Sequence, residues 1–229
     1  AIVSVQKSIE NPILSNEVNL LGTLKLLHHS HINKIKRVVF ASSAAVYGNE
    51  PSLPKNEVSI TQPISPYGVE KLAAETYMNL YSNVFNLETI ILRYFNVYGS
   101  RQDPSSEYSG VISIFEEKFS KNFCPTIYGD GTQYRDFINI CDIVKINITS
   151  MHHPYSEINR LICCGTGVKT SINSLFEIFC KKYKKNWKKI YSEGRKGDIF
   201  GSVSDNSKMI SILENDNLIE ITSLNSKEK

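Results

Sequence analysis

Apolar positions along the chain predict helices and strands in alternation. Leucine and valine residues recur at helical spacing from about Asn16 to Ser30 and predict a helix there, and a second helix is predicted from Ser65-Pro66 to about Tyr81. A short β-branched run follows each helix, at Arg37–Ala41 and at Thr89–Tyr94, and each run predicts a strand. This alternation is typical of βαβ units, so the predicted fold class is α/β with a largely parallel sheet.

The pattern is less regular after Gly99. The elements predicted there are a helix over 111–121, strands over 126–128 and 137–140, a helix over 141–150, a strand over 161–164 and a helix from Ser171 to about Tyr183. Beyond Leu213 the sequence is polar and weakly patterned, and we expect a frayed tail over 214–229.

Composition excludes several classes of protein. The 229 residues are 41% hydrophobic and 21% charged with a net charge of +3, which is ordinary for a soluble globular chain and requires no polyanionic partner. No run approaches the ~20 apolar residues of a membrane span, so the cytosol is the expected compartment. The five cysteines include no C-x-x-C pair, so neither a disulfide framework nor a metal site is expected.

Tyr67 and Lys71 are candidates for acid–base chemistry. They are four residues apart on a predicted helix and therefore share one face, where an ammonium group favours the phenolate form of tyrosine. Ser42 and Ser43 follow the strand 37–41, at the edge where open α/β sheets bind ligands, and a serine there can hydrogen-bond a substrate hydroxyl and the tyrosine oxygen. The alternatives are an amphipathic helix surface and a serine that caps a turn.

Five ordered motifs carry a resemblance to a known family. They are Ser4–Ser8, Val18–Thr23, Ser42–Gly48, Ser65–Lys71 and Leu92–Gly99, followed by Gly129–Gly131, Arg135–Phe137 and Arg195–Ile199. The chain thereby resembles the extended short-chain dehydrogenase/reductase family, in particular its nucleotide-sugar epimerases. The resemblance implies a partial Rossmann-like, doubly wound sheet with a smaller substrate-binding region, and NAD as cofactor.

The resemblance also implies roles for individual residues. Ser43, Tyr67 and Lys71 would be catalytic, with Tyr67 as the base and Lys71 also holding the nicotinamide ribose. The residues along the cofactor would be Asn19, Ser42, Tyr67, Lys71, Tyr94 and Phe95. Those around the UDP-sugar would be Ser43, Asn96, Tyr128, Arg135, Arg195, Asp198 and Ser202. Guanidinium groups suit a diphosphate because they make bidentate, charge-assisted contacts with phosphate oxygens.

Residues near the candidate catalytic serine limit which reactions of the family the chain could catalyse. Ala44 and Ala45 stand where dehydratases of the family carry an acidic pair, and methyl groups cannot transfer protons. We therefore expect 4-epimerisation of a UDP-sugar through a 4-keto intermediate, with dehydratase and decarboxylase as alternatives. Ser202 is small where epimerases of non-acetylated sugars carry tyrosine. With the run Arg101–Pro104 and Tyr108, it favours UDP-N-acetylglucosamine, UDP-N-acetylgalactosamine or their uronic acid forms, and the resemblance implies a role in O-antigen or capsule synthesis.

The chain departs from the family at its start. It contains no strand followed by a Gly-x-x-Gly-x-x-Gly turn, so the first four strands and the adenosine-binding half are expected to be missing. Two interpretations stay open: the catalytic and substrate-binding portion of an epimerase, or a truncated, non-catalytic product that binds at most UDP-sugar. We expect residues 1–100 to be the C-terminal part of the NAD-binding domain. Residues 101–213 are expected to bind mainly the UDP-sugar, with some segments returning to the Rossmann-like sheet of the NAD-binding domain, and the tail follows.

Candidate partners are a second copy of the chain, nucleic acid and an anionic membrane. The resemblance implies a homodimer formed through the helices at about 16–30 and 66–81. The basic, aromatic run Lys181–Lys189 could instead contact nucleic acid or an anionic membrane, but lysines at a helix end are usually solvated, and we expect neither partner.

Overall fold

The computed structural model describes residues 1–102, 110–154, 160–194, 199–215 and 224. The helices are α1 Val5–Glu10, α2 Pro12–Asn16, α3 Gly22–Ile32, α4 Pro66–Phe85, α5 Val111–Ser120, α6 Ile140–His152, α7 Ile172–Lys182 and α8 Ser207–Asn215. The strands are β1 Arg37–Ser43, β2 Glu88–Tyr94, β3 Asn96–Tyr98, β4 Thr126–Tyr128, β5 Tyr134–Arg135, β6 Phe137–Asn139, β7 Leu161–Cys164, β8 Thr170–Ser171 and β9 Ile190–Ser192.

The helix predicted from Asn16 to Ser30 is longer than expected and irregular. Helical structure begins at Pro12, where the Asn11 side chain accepts a hydrogen bond from the backbone N–H of Leu14, and it ends at Ile32. A π turn over Glu17–Leu21 joins α2 to α3. Such a turn changes the face that a helix presents, a feature that apolar spacing does not reveal.

The central sheet is parallel, with strand order β1-β2-β7. On one face Leu27 and Met78 of α3 and α4 pack with Ile91 and its neighbours. On the other face Ile146 and Met209 of α6 and α8 pack with alternate residues of the same strands. Helices on both faces of a parallel sheet define a doubly wound α/β architecture, which confirms the predicted fold class.

The carboxyl ends of the three central strands meet at one edge of this sheet. Ser43 stands opposite Tyr94, and Tyr94 stands opposite Cys164. This edge is where the candidate catalytic serine lies.

A second, aromatic core forms in the C-terminal part of the chain. Phe115 and Phe119 of α5 pack against Phe176 and Phe179 of α7, with ring centroids 5.4 to 6.3 Å apart. Two-stranded pairings surround it: β3 with β6 and β4 with β9 are parallel, whereas β5 with β8 is antiparallel.

Several elements were not predicted from sequence. Helix α1 has six residues, and strands β3, β5, β8 and β9 have two or three, which is too short for a hydrophobic period to show. Helix α8 was also missed, although Met209, Ile212 and Leu213 complete the main core. Most of the expected tail lies outside the described residues; Glu214 and Asn215 end α8, and Leu224 packs against the aromatic core.

Within the described part of the chain, none of the helices combines the length and the apolar character needed to cross a membrane.

Candidate active site

The start of helix α4 is fixed by two hydrogen bonds, a proline in the first turn and a glycine at a close approach. Ser65 caps the helix, its Oγ accepting from the backbone N–H of Gly68 at 3.1 Å, and Pro66 occupies the first turn. The Oγ of Ser8, on α1, accepts from the backbone N–H of Tyr67 at 3.2 Å. A Cβ at Gly68 would lie 2.8 Å from the carbonyl oxygen of Ala45, so glycine lets the helix approach the segment after Ser43. The first turn of α4 is therefore held against β1.

Tyr67 and Ser43 are in direct contact. The Tyr67 hydroxyl is hydrogen-bonded to the Ser43 side chain, and the Ser43 Oγ also accepts from the backbone N–H of Ala45 at 3.2 Å. Burial raises the pKa of Tyr67, the Ser43 hydrogen bond lowers it, and the charge of Glu70 raises it. The net direction is upward, so Tyr67 is a neutral phenol at neutral pH, contrary to the expectation that Lys71 would lower its pKa.

Lys71 completes the cluster from the next turn of α4. Its Nζ donates to the carbonyl oxygen of Ala41 at 2.7 Å and lies 4.8 Å from the Phe40 ring centroid and 5.7 Å from that of Tyr67. Burial lowers the pKa of Lys71, and the charges of Glu70 and Glu75 raise it. The structure thus brings Ser43, Tyr67 and Lys71 together at the carboxyl edge of the sheet.

Ser42 points away from this cluster into a buried ionic network. Its hydroxyl donates to Glu75 at 2.5 Å, and Arg93 makes a two-pronged contact with the same carboxylate, at 2.9 and 2.7 Å. Arg93 also donates to the hydroxyl of Tyr47 at 2.9 Å, and that hydroxyl lies 3.0 Å from Cys163 Sγ. Sequence analysis missed Glu75 and Arg93, although an arginine inside a buried, apolar strand was a signal because such a charge needs a partner.

The side chain of Asn19 is also hydrogen-bonded within the protein. Its side-chain amide exchanges two hydrogen bonds with the backbone of Ile2, each 2.8 Å long, and donates to Glu70 at 2.7 Å. It is 5% exposed and lies in the π turn, so it ties the N-terminal segment to α4.

At the end of β2, three consecutive side chains make contacts with different parts of the protein: Tyr94, Phe95 and Asn96. The Tyr94 hydroxyl exchanges hydrogen bonds with Asn147 of α6, and burial raises the pKa of Tyr94 to about 12. Phe95 packs among Val46, Tyr47 and Cys163, whereas the Asn96 amide donates to the backbone oxygen of Asp136 at 3.2 Å.

The residues predicted to hold the UDP-sugar lie in the C-terminal part of the chain. Tyr128 ends β4 and is 40% exposed, and the Arg135 guanidinium donates to the backbone oxygens of Tyr134 and Phe200. Ser202 is buried, and its backbone N–H donates to Tyr134 at 3.3 Å. Arg195 and Asp198 lie outside the described residues, as do Asp103, Pro104 and Tyr108.

Asp136, next to Arg135, is a buried residue to which sequence analysis gave no role of its own. It is 0% exposed and accepts hydrogen bonds from Thr166, Gly167 and Ser204. A Cβ at Gly165 would lie 2.5 Å from its carboxylate. Asp136 therefore joins the segment that carries Arg135 to the loops after β7 and before α8.

Three of the six lysines in the basic run Lys181–Lys189 contact polar side chains of the protein. Lys182 contacts Glu116, Lys185 donates to Asn122, and Lys189 contacts Glu177. These contacts give the run a structural role at the end of α7.

The residues at the sheet edge fit the nicotinamide ribose of NAD. An ammonium group has three donors, and one of them on Lys71 is used by Ala41, so donors remain for ribose hydroxyls beside the Tyr67 hydroxyl. For the pyrophosphate, the sequence contains no glycine-rich strand–turn–helix, and we assign no residue to that group.

Comparisons with known proteins agree on one family. The profile of the NAD dependent epimerase/dehydratase family matches residues 1–165. The putative UDP-glucose 4-epimerase of Methanocaldococcus jannaschii is 40% identical over 213 residues, covering 93% of this chain and 68% of the relative.

Solved structures give the same result. The UDP-N-acetylglucosamine 4-epimerase from Methanobrevibacter ruminantium, in complex with UDP-N-acetylmuramic acid, superposes with a TM-score of 0.88 at 39% identity, over 93% of this chain and 67% of that one. The UDP-glucose 4-epimerase of Thermus thermophilus, in complex with NAD, has a TM-score of 0.82 at 31% identity, over 94% and 69%. The chain thus spans about two thirds of the length of these relatives.

Proposed function

The chain belongs to the NAD dependent epimerase/dehydratase family, and from that premise we propose that it catalyses the NAD-dependent 4-epimerisation of a UDP-sugar. The observation that carries the proposal is the contact of Ser43, Tyr67 and Lys71 at the carboxyl edge of the sheet. UDP-sugar 4-epimerases are among its relatives.

The proposed mechanism assigns proton transfer to Tyr67. Its hydroxyl exchanges a proton with the 4-hydroxyl of the sugar, and Ser43 bridges the two oxygens through the hydrogen bond that it already makes. The chemistry that bound NAD would supply is a reversible hydride acceptor for C4 of the sugar. Burial keeps Tyr67 neutral in the cofactor-free chain although the Lys71 Nζ lies 5.7 Å from its ring centroid, so the base form requires further positive charge near the phenol.

The absence of a second acid–base pair beside the catalytic serine supports epimerisation over elimination. Ala44 and Ala45 form a turn directly after Ser43, and neither side chain can move a proton. The 4-keto sugar therefore has no group at these positions to promote loss of water, and return of the hydride to its opposite face remains.

For the sugar itself, we propose an N-acetylhexosamine or its uronic acid. Ser202 places a small side chain near Tyr134, on the strand that also carries Arg135. We assign Arg135 and Tyr128 to the UDP portion, with Arg195 and Asp198 as further candidates, and the cofactor side to Asn19, Tyr94 and Phe95. The internal contacts of Asn19 and Tyr94 favour support of the cofactor site over direct hydrogen bonds.

A panel of nucleotide sugars tests the proposal. The purified chain with NAD is incubated with UDP-N-acetylglucosamine, its uronic acid and UDP-glucose, and the products are resolved by anion-exchange chromatography. We expect 4-epimers, with the highest kcat/KM for an acetylated sugar. Turnover of UDP-glucose alone would overturn the substrate assignment. Binding of UDP-sugars without any turnover would favour the alternative, a truncated and non-catalytic chain that only binds UDP-sugar.

We further propose a homodimer formed through α3 with its preceding π turn and through α4. Val69, Leu80 and Val84 form an exposed apolar stripe along α4. On the neighbouring helix, Val18 and Leu21 of the π turn and Leu26 of α3 are exposed. Two antiparallel copies would bury these residues against each other.

A further inference from the structure

Asp136 has a buried carboxylate that the mechanism proposed above does not use. It directly follows Arg135, and it is 0% exposed. Its Oδ1 accepts from the backbone N–H and from the hydroxyl of Thr166, each at 2.7 Å. Its Oδ2 accepts from the backbone N–H groups of Gly167 and Ser204, both at 3.0 Å, and from the Ser204 hydroxyl at 2.6 Å. The carboxylate therefore holds two separate loops against the strand that carries Arg135.

The contact with Ser204 extends a row of hydrogen bonds between β5 and the parallel segment that runs from Phe200 to Ser204, segment 200–204. The backbone N–H of Tyr134 donates to the backbone oxygen of Phe200 at 3.1 Å, and that of Ser202 donates to the oxygen of Tyr134 at 3.3 Å. The next acceptor in this row would be the backbone oxygen of Asp136, but that oxygen accepts from the first residue of β3 at 3.0 Å. The side-chain carboxylate accepts from Ser204 in its place and thereby fixes the end of segment 200–204.

The Arg135 side chain lies against the same segment. Its guanidinium donates to the backbone oxygen of Phe200 at 3.4 Å and to that of Tyr134 at 2.9 Å. One of these oxygens belongs to β5 and the other to segment 200–204. The position of the guanidinium therefore depends on how the segment lies relative to the strand, and Asp136 holds the two together.

We propose that Asp136 is a positioning residue that holds the Arg135 guanidinium in place for the diphosphate of the UDP-sugar. The inference rests on the role proposed above for Arg135. Ser204 is 2% exposed, so without the carboxylate its backbone N–H has no acceptor unless segment 200–204 moves. Such a movement would displace the Phe200 carbonyl and, with it, the guanidinium that donates to this carbonyl.

A double-mutant cycle on UDP binding tests the proposal. UDP is titrated calorimetrically into the wild-type chain, Asp136→Ala, Arg135→Ala and the double variant. Asp136→Ala should raise the Kd for UDP about 5- to 150-fold, because UDP must then select an arrangement that leaves an N–H unsatisfied. In the Arg135→Ala background the same change should alter the Kd less than about twofold, since no guanidinium is left to position. The full factor in both backgrounds would indicate a merely structural role and would overturn the proposal.

Matched variants separate positioning from the loss of a buried group. Asp142 is 1% exposed and contacts Lys145 at 3.0 Å on α6, so Asp142→Ala also removes a buried carboxylate but should leave the Kd for UDP unchanged. If Asp136→Ala fails to fold, Ser204→Ala and Thr166→Ala decide the question, because each removes one hydroxyl from the Asp136 carboxylate. Ser204→Ala should weaken UDP binding about 2- to 10-fold, and Thr166→Ala should not. Equal effects within either pair would overturn the proposal.

Titration with UDP requires neither NAD nor turnover, so the role of Asp136 and the proposed function can fail separately. A chain without epimerase activity whose cycle shows the expected coupling would keep the role of Asp136 and lose the reaction. A wild-type chain that binds no UDP would overturn the role of Arg135 and, with it, that of Asp136.

Discussion

At the residue scale, Tyr67 carries the proposed chemistry through one oxygen atom. Tyr67→Phe removes that oxygen and leaves the ring, so the packing of the first turn of α4 should survive. We expect kcat to fall by a factor of about 10² to 10⁴, because that is the usual contribution of a positioned acid–base group. Steady-state assays check the fall, and thermal unfolding should show an unchanged midpoint. A variant with near wild-type kcat would contradict the role of Tyr67.

We propose that Arg135 holds the diphosphate, because a guanidinium group can make bidentate contacts with phosphate oxygens. Arg135→Ala should weaken UDP binding by about 1.5 to 3 kcal/mol, the usual range for a hydrogen bond to a charged group, or roughly 10- to 150-fold in Kd. Calorimetric titration with UDP measures the change. Arg160→Ala is the matched control, because Arg160 contacts Asn83 on another part of the surface, and UDP affinity should not change. Equal effects in the two variants would argue against the assignment.

At the element scale, the N-terminus of α4 sets the position of Tyr67 and Lys71. Ser65 caps α4 and Ser171 caps α7 through hydrogen bonds of 3.1 and 3.0 Å, so Ser65→Ala and Ser171→Ala should each lower the free energy of unfolding by about 1 kcal/mol. Only Ser65→Ala should also reduce kcat/KM, because only that cap holds the proposed catalytic turn. Denaturant unfolding and steady-state kinetics on both variants check this. A similar loss of activity in both would show that stability alone accounts for it.

The sheet is bound to α4 by the pair of Arg93 and Glu75. Both side chains are 5% exposed, so Arg93→Ala leaves a buried carboxylate without its partner. We expect a loss of about 3 to 5 kcal/mol in the free energy of unfolding, measured by chemical denaturation. Lys121→Ala, at an exposed ion pair, should cost less than about 1 kcal/mol. Comparable losses in the two variants would mean that burial does not determine the strength of the contact.

Most elements of ordinary length could be predicted from sequence, with α8 as the exception, whereas their interior contacts could not be predicted. The strand pattern at Leu161–Cys164 and the cap at Ser171 were enough to place β7 and the start of α7 correctly. The π turn around Asn19 and the short strands carry no period, and their structure depends on tertiary contacts. The proximity of Ser43 and Tyr67 could be predicted because open α/β sheets bind ligands at the carboxyl ends of their strands. Which of the two adjacent serines faces Glu75 depends on how side chains alternate along the strand, and the sequence Ser42-Ser43 does not show that.

At the scale of the whole molecule, the exposed apolar residues on α4 and on its neighbouring helix predict self-association. Leu80→Glu with Val84→Glu should convert a dimer to a monomer, since charges would enter the proposed interface. Ile148→Glu, at an exposed apolar position on α6, is the control and should leave the mass unchanged. Sedimentation velocity reports the result. A wild-type chain that sediments as a monomer would contradict the proposed dimer.

The division into a cofactor-binding region over 1–100 and a substrate-binding region over 101–213 stays a prediction. Strand β7, from the second region, pairs with β2 of the first, and Asp136 joins the loop after β7 to the loop before α8. The proposed sites for cofactor and sugar thus share one hydrogen-bonded framework.

The fate of the hydrogen at C4 tests the central claim most directly. The chain is incubated with NAD and UDP-N-acetylglucosamine that carries deuterium at C4, and the product is analysed by mass spectrometry and proton NMR. We expect the 4-epimer with deuterium retained at C4, formed about 10² to 10⁴ times more slowly by Tyr67→Phe. An epimer that has lost the deuterium to solvent, or a product that has lost water, would contradict 4-epimerisation by hydride removal and return.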